Sequence, residues 1–159
     1  MKKFIMLLLS AFVATCIFAQ SADVITELLD AEKATYGEVC YLSAVQQKFV
    51  EETATYDEAI HALLSEGQLS VRVEADSFIL AKDAAAIFAG MWKVEGGLMF
   101  RITNGSPRYA FKQLQSDGVI PASKDPAEYM SGTEVLKMYT ASVKKYSDFN
   151  IKNVSMEAE

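Results

Sequence analysis

One histidine, His61, stands in the whole sequence, in a segment whose apolar residues recur at helical spacing. An imidazole moves protons readily near neutral pH. As a general base in acyl transfer it needs a serine or cysteine nucleophile held against it, and no motif ties one to His61. A metal site needs several His, Cys, Asp or Glu at recognisable spacing, and none occurs. Asp117 to Asp125 lacks the alternating oxygen ligands of a calcium loop. Glu51-Glu52 and Asp57-Glu58 pair carboxylates, but at expected helix ends, where acids are solvated and cap. Gly96-Gly97 and Asn104-Gly105 read as turns without phosphate-loop spacing around them. The inventory predicts no enzyme, no catalytic residue, no cofactor and no metal.

Binding chemistry is better represented. Arg108, Tyr109 and Lys124 combine an aromatic face with cations and are the candidates for a carbohydrate or polyanion contact, through stacking and charge. Phe88, Met91 and Trp92 could line an apolar groove, although their helical spacing reads first as core packing. Cys40 reads as a small buried apolar residue.

The beginning of the chain sets the compartment. Met1-Lys2-Lys3 precedes an apolar run from Phe4 to Ala14, and small residues follow up to a polar break at Gln20-Ser21-Ala22-Asp23. That order is a secretory signal peptide over residues 1–21, and the apolar run is too short to span a bilayer. The protein is expected to be exported, to the periplasm or the cell surface. Val13-Ala14-Thr15-Cys16 loosely resembles a bacterial lipobox, which makes Cys16 a candidate for lipidation, with Thr15 a poor fit. The full sequence of 159 residues carries 15 basic and 21 acidic residues, a net charge of −6. Removing Lys2 and Lys3 takes it to about −8. Such a chain is repelled by nucleic acid and anionic lipid, so neither is an expected partner, apart from a membrane reached through a lipid on Cys16. Cleavage leaves Cys40 alone, which excludes an internal disulfide.

The remainder reads as short helices, with a possible extended piece at Ser70 to Val73. Residues 22–33 repeat apolar positions at helical spacing. Thr35-Tyr36-Gly37-Glu38, Thr55-Tyr56-Asp57-Glu58 and Ser131-Gly132-Thr133-Glu134 each spell a capping box, a hydroxyl followed three residues later by a glutamate. Gly67 and Gly118 stand where left-handed caps close helices. Ser106-Pro107 opens another helix, and residues 79–93 form an alanine-rich one.

Laid over one another at an offset of 51, residues 59–93 and 110–144 match without a gap. Ala59/Ala110, Leu63/Leu114, Ser65/Ser116, Gly67/Gly118 and Lys93/Lys144 are identical. Ile60/Phe111, Leu69/Ile120, Phe78/Tyr129, Ile87/Met138 and Phe88/Tyr139 keep their apolar character. Each unit reads as a helix, a glycine cap, a loop and a second helix. A shorter third copy precedes them, with Thr35 to Val39 aligned to Ser131 to Val135.

Units of this kind resemble the S-layer homology (SLH) family. Its modules occur three in tandem, each with a helix, a Gly-Ile or Gly-Val turn, a loop, and a second helix opening on Thr-Arg-Ala-Glu. Arg108-Tyr109-Ala110, Gly118-Val119-Ile120 and Met130 to Leu136 carry the resemblance in the last unit. Ile79 to Ala85 does so in the middle unit and Ala34 to Cys40 in the first. The resemblance implies an all-α fold of tandem helix–loop–helix units, arranged pseudo-threefold, over residues 22–146. The units fall at about 22–52, 55–93 and 106–145, ahead of a polar tail at 147–159. It further implies a non-catalytic envelope module docking to a cell-wall polysaccharide or peptidoglycan, or to an envelope protein. The signature arginine, which grips anionic polymer in the family, falls on Tyr36, Ala81 and Gly132. None of these can replace a guanidinium fork. A periplasmic scaffold or chaperone-like domain with an apolar groove is the alternative.

Overall fold

The computed structural model describes residues 24–156, with side chains described to residue 147. The expected signal peptide and Cys16 lie outside the described residues. The fold is all-α. Helix α1 covers 24–30. It is followed by α2 (Tyr36–Gln46), α3 (Tyr56–Ser65), α4 (Ala81–Met91), α5 (Leu98–Ile102), α6 (Pro107–Ser116) and α7 (Gly132–Met156). Among the described residues only two isolated bridges occur, Thr35 with Phe78 and Leu80 with Tyr129. The extended piece expected at Ser70 to Val73 is irregular loop.

Helix starts follow the hydroxyl–glutamate spacing. Thr35, Thr55 and Ser131 each accept from the backbone N–H three residues on, and Glu38, Glu58 and Glu134 reach back to the N–H of the capping residue. Two of the four N–H groups orphaned at each start are thereby satisfied. Ser106 precedes Pro107 as expected, but its hydroxyl makes no capping bond. Gly67 and Gly118 close α3 and α6 at φ of +70° and +78°, a left-handed conformation that costs a glycine nothing. At the corresponding ends of α2 and α4, Lys48 and Lys93 take the same conformation, at φ of +58° and +49°.

Three backbone positions tie the helices together. Ala34 donates its N–H to Met130 O at 2.7 Å, Met130 donates to Ile79 O at 3.2 Å, and Ile79 donates to Ala34 O at 3.0 Å, which closes a ring of three. All three residues are buried. Each lies two residues ahead of a helix, α2, α4 or α7. The chain entering one helix plugs the start of another. Tyr36 and Gly37 of α2 donate to the carbonyls of Ser77 and Ala75, while Ala81 and Lys82 of α4 donate to Glu128 and Pro126. Gly132 of α7 donates to Ala31 O at 3.0 Å. At Gly132 a Cβ would fall 1.5 Å from Leu28 O, so only glycine lets the end of α1 come this close.

Helix α4 is the hub, packing against α2, α6 and α7. Ala81, Ala84, Ala85 and Phe88 on it are fully buried, joined by Val39 and Cys40 of α2, Leu63 of α3, Leu114 of α6 and Val135 of α7. Small residues on α4 let its neighbours approach, and Phe88 fills the space between them, its ring 6.2 Å from that of Tyr139. Tyr139 donates to Gln46 Oε1 at 2.6 Å and Tyr146 to Asp117 Oδ2 at 2.6 Å, fastening α7 to the ends of α2 and α6. Helix α7 runs to Met156. It thus extends beyond the expected end near Lys145 and takes in most of the segment read from composition as a polar tail. Tyr146 gives one physical reason, since it anchors the helix just past that point.

Candidate functional site

An open cleft of about 930 Å³ lies along α4. Its floor is one face of α4, formed by Asp83, Ala86, Ile87 and Gly90 at helical spacing. Ala86 and Gly90 keep this floor low, over about 10 Å of helix axis. One wall is the loop after α3, from Gly67 to Val73, and the other is the linker 93–107, which contains α5. Tyr36 stands at one end.

Each wall has its own support. Gln68 exchanges two amide hydrogen bonds with Gln47, at 2.9 and 2.6 Å, which pins the first wall to the end of α2. In the second wall, half-buried Phe100 packs on the core. A Cβ at Gly96 would come within 2.4 Å of its ring. Gly105, at φ of +68°, passes the ring's other side, and Gly97 N donates to Gln113 Oε1 of α6 at 2.9 Å. The glycines that read as turns therefore also make room for one anchoring aromatic. Helix α5 buries none of its residues. Leu98, Met99 and Ile102 are 71, 54 and 67 % exposed.

The charges in the cleft are mixed. Asp83 and Glu95 face in with Lys93 and Arg101, and no ion pair among the described residues involves any of the four. The Tyr36 hydroxyl meets the Asp83 carboxylate. Burial first, then the charge and hydrogen bond of Asp83, hold the phenol well above its ordinary range, so it stays a proton donor. Asp83 occupies the place that Glu38 and Glu134 take at the other two ring-linked helices. Its capping position is Leu80, which has no side-chain acceptor to offer. Its carboxylate lies at the cleft, beside Tyr36.

The residues singled out from the sequence are not gathered into one site. Arg108 is exposed and Tyr109 half-buried on the first turn of α6, with the Lys112 ammonium 5.8 Å from the Tyr109 ring centre. The neighbouring Ser106 and Pro107 line the cleft, whereas Arg108 and Tyr109 do not. Lys124 lies 2.8 Å from Glu134 Oε1 and 3.2 Å from Glu128 Oε2. Burial alone would lower its pKa, but the two glutamates outweigh it and hold the ammonium above the ordinary lysine range. Lys124 thus braces the capping glutamate of α7, with its charge already matched. Met91 and Phe88 are buried, and Trp92 packs partly against the core. His61 is exposed on α3. Cys40 is fully buried, and burial pushes its thiol up to about 12.

All three positions aligned with the family's signature arginine are taken up by packing. Ala81 is fully buried, Gly132 abuts the carbonyl of Leu28, and Tyr36 is half-buried against Asp83. The cleft residues Tyr36, Asp83, Lys93 and Arg101 were missed as a group because they come from three separate segments. One signal was present: Leu80 is a non-capping residue where both partner segments have a hydroxyl.

No group of three or more His, Cys, Asp or Glu that could hold a metal occurs among the described residues, and no helix among them is long and apolar enough to cross a membrane. Comparison with protein-family models, with curated proteins and with solved structures gives no match.

Proposed function

We propose that this chain is an exported, non-catalytic envelope module, a degenerate relative of SLH modules built from three helix–loop–helix units, that docks onto a cell-wall polymer through the α4 cleft. The observation that carries the docking reading is the cleft itself. It is open and long enough for about two sugar rings or a short peptide stem, with amide, hydroxyl, phenol and charged groups of both signs along it. Groups of both signs suit a polymer that carries both carboxylates and amines, as peptidoglycan does. They suit a uniformly anionic polysaccharide poorly, which accords with the loss of all three signature arginines. Support for the three-unit reading comes from the ring of Ala34, Ile79 and Met130. It comes also from equivalent bonds at the offset of 51. Leu63 O takes the N–H groups of Gln68 and Leu69 as Leu114 O takes those of Val119 and Ile120.

Sedimentation of the exported chain with purified sacculi tests the reading. The expected outcome is co-sedimentation that Arg101→Ala and Asp83→Ala each weaken, with folding intact by circular dichroism. A chain left wholly in the supernatant contradicts it. The exposed Leu98, Met99 and Ile102 of α5, beside the cleft but outside its lining, favour a second reading, a scaffold that holds a protein partner against that helix. That reading expects Leu98→Ser with Ile102→Ser to abolish capture of one envelope protein, without any effect of added glycan.

A further inference from the structure

Helix α5 turns its apolar residues outward. Leu98, Met99 and Ile102 are all well exposed, while Phe100 packs back on the core between Gly96 and Gly105. The knob is nonetheless firmly built. The carbonyls of Gly97, Met99, Phe100 and Arg101 accept from the N–H groups of Arg101, Thr103, Gly105 and Asn104 at 2.8 to 3.2 Å, and the Thr103 hydroxyl donates to Met99 O at 2.7 Å. Backbone acceptors satisfied from within the linker lower the cost of taking this helix out of water. The charge around the knob runs against that of the chain. From 93 to 116 stand four bases, Lys93, Arg101, Arg108 and Lys112, against one acid, Glu95, whereas the whole chain has 21 acids to 15 bases. Lys93 and Arg101 line the cleft, with Asp83 on its floor, and Arg108 and Lys112 are exposed on α6, which packs on α5. No ion pair among the described residues involves any of the four bases.

We propose that α5 is a membrane-contact element, which lays Leu98, Met99 and Ile102 into the surface of an anionic phospholipid bilayer while the surrounding bases meet the headgroups. Two attractions act together. The apolar side chains leave water at the boundary between headgroups and acyl chains, and the cations gain phosphate counter-ions that the protein does not supply. A convex apolar helix with cations near it suits a soft anionic surface. The repulsion expected of an acidic chain is an average over the molecule. Its acid excess lies outside the 93–116 segment, so the field of the protein turns this side toward an anionic surface. Contact of this kind needs no spanning helix, and it is reversible and salt-sensitive. It involves a different ligand from cleft docking and does not rest on the wall-polymer reading.

The test is flotation of residues 22–159 with vesicles of phosphatidylglycerol and phosphatidylcholine in equal parts, and in parallel with phosphatidylcholine alone. The expected result is saturable binding to the anionic vesicles, much weaker binding to the neutral ones, and release in about 0.5 M salt, where the screening length is only a few ångströms. Arg108→Gln and Lys112→Gln should each weaken binding to the anionic vesicles about five-fold, the scale of one cation near a charged bilayer. Lys137→Gln on α7 should leave it unchanged. Leu98→Ser with Ile102→Ser should weaken it at least about ten-fold and leave the melting temperature unchanged, since both side chains are exposed. With Leu98→Trp, bound protein should show quenching by brominated acyl chains beyond that of the chain's own Trp92. Wild-type protein that stays off anionic vesicles up to about 5 mM lipid, the range of weak binding, overturns the proposal. So does an equal loss from Lys137→Gln and Lys112→Gln, or bound Leu98→Trp that is not quenched. Vesicles ignored while one envelope protein is captured through Leu98 and Ile102 would overturn it in favour of the scaffold reading. Retention on sacculi, present or absent, bears on the cleft alone.

Discussion

Helices α2, α4 and α7 begin at equivalent places on the same backbone ring, yet their openings are built differently. Those of α2 and α7 keep the hydroxyl–glutamate box, with Thr35 and Glu38 at one and Ser131 and Glu134 at the other. The opening of α4 has Leu80 and Asp83, with no side-chain cap. The Asp83 N–H, which a hydroxyl would take, goes instead to the carbonyl of Leu80 at 3.0 Å. What is lost in local capping is gained as a carboxylate that faces the cleft. A local rule broken at one of three like corners, with the others intact, marks the corner where stability was traded for something else.

The largest expected effect breaks the ring at the third corner. Gly132→Ala puts a methyl group against the backbone of Leu28, which cannot swing aside like a side chain. Displacing α1 should cost about 3 kcal/mol, the upper end for overpacking. It would be read as a lowered midpoint in urea with loss of protection at the Gly132 and Ala34 amides. Next in size are the caps. Thr35→Ala should cost about 1 kcal/mol, and Leu80→Thr should return about half of that, because its hydroxyl would replace the Leu80 carbonyl that the Asp83 N–H already reaches. If Leu80→Thr instead destabilises, the contrast between the corners lies elsewhere. A gain in stability with weaker sacculus binding would sharpen it.

The third effect is a pH dependence that belongs to the α7 corner. Burial alone would raise the pKa of Glu134, but its bonds to Lys124 and Ser131 outweigh that and hold it below the ordinary carboxylate range. A lowered carboxylate pKa contributes stability above its unfolded value and loses it as pH falls through the folded one. Glu134→Gln should therefore flatten the acid limb of the stability profile below about pH 4.5, by no more than about 1 kcal/mol, since the Glu134 side chain is 39 % exposed and its pairing with Lys124 is screened by solvent. The raised pKa of Lys124 places its own loss at the alkaline end, as pH climbs through the folded value. The smallest expected effect is a gain. Lys48→Gly relieves a left-handed lysine at the end of α2 and should stabilise by about 1 kcal/mol or less, since the conformation costs a β-carbon but no glycine.

Much of the scaffold was legible because it rests on short-range rules. A hydroxyl and a glutamate three apart gave the starts of α2, α3 and α7, and Gly67 and Gly118 gave the ends of α3 and α6. The pairing of Phe78 with Tyr129 and of Phe88 with Tyr139, seen first as a pattern of types, reappears as ring contacts between those residues. Helix α5 was invisible, since five residues contain too little periodicity and none of them is buried. The continuation of α7 was hidden by its polar composition, because its hold comes from Tyr146 on Asp117, a contact 29 residues apart in sequence. The cleft was hidden for the same reason, since its floor and walls come from separate segments brought together by the ring. Arg108 and Lys124 attracted notice as cations, but their surroundings, above all Glu134 beside Lys124, decide what they do.

The most direct test of docking through the α4 corner is an amide shift map of residues 22–159 with soluble peptidoglycan fragments. The account predicts shifts along Asp83 to Gly90, in the 67–73 loop and in the 93–107 linker, with the capped openings at Glu38 and Glu134 undisturbed. Saturating fragments that leave the floor of α4 unmoved, or that shift only α1 and α7, would contradict it.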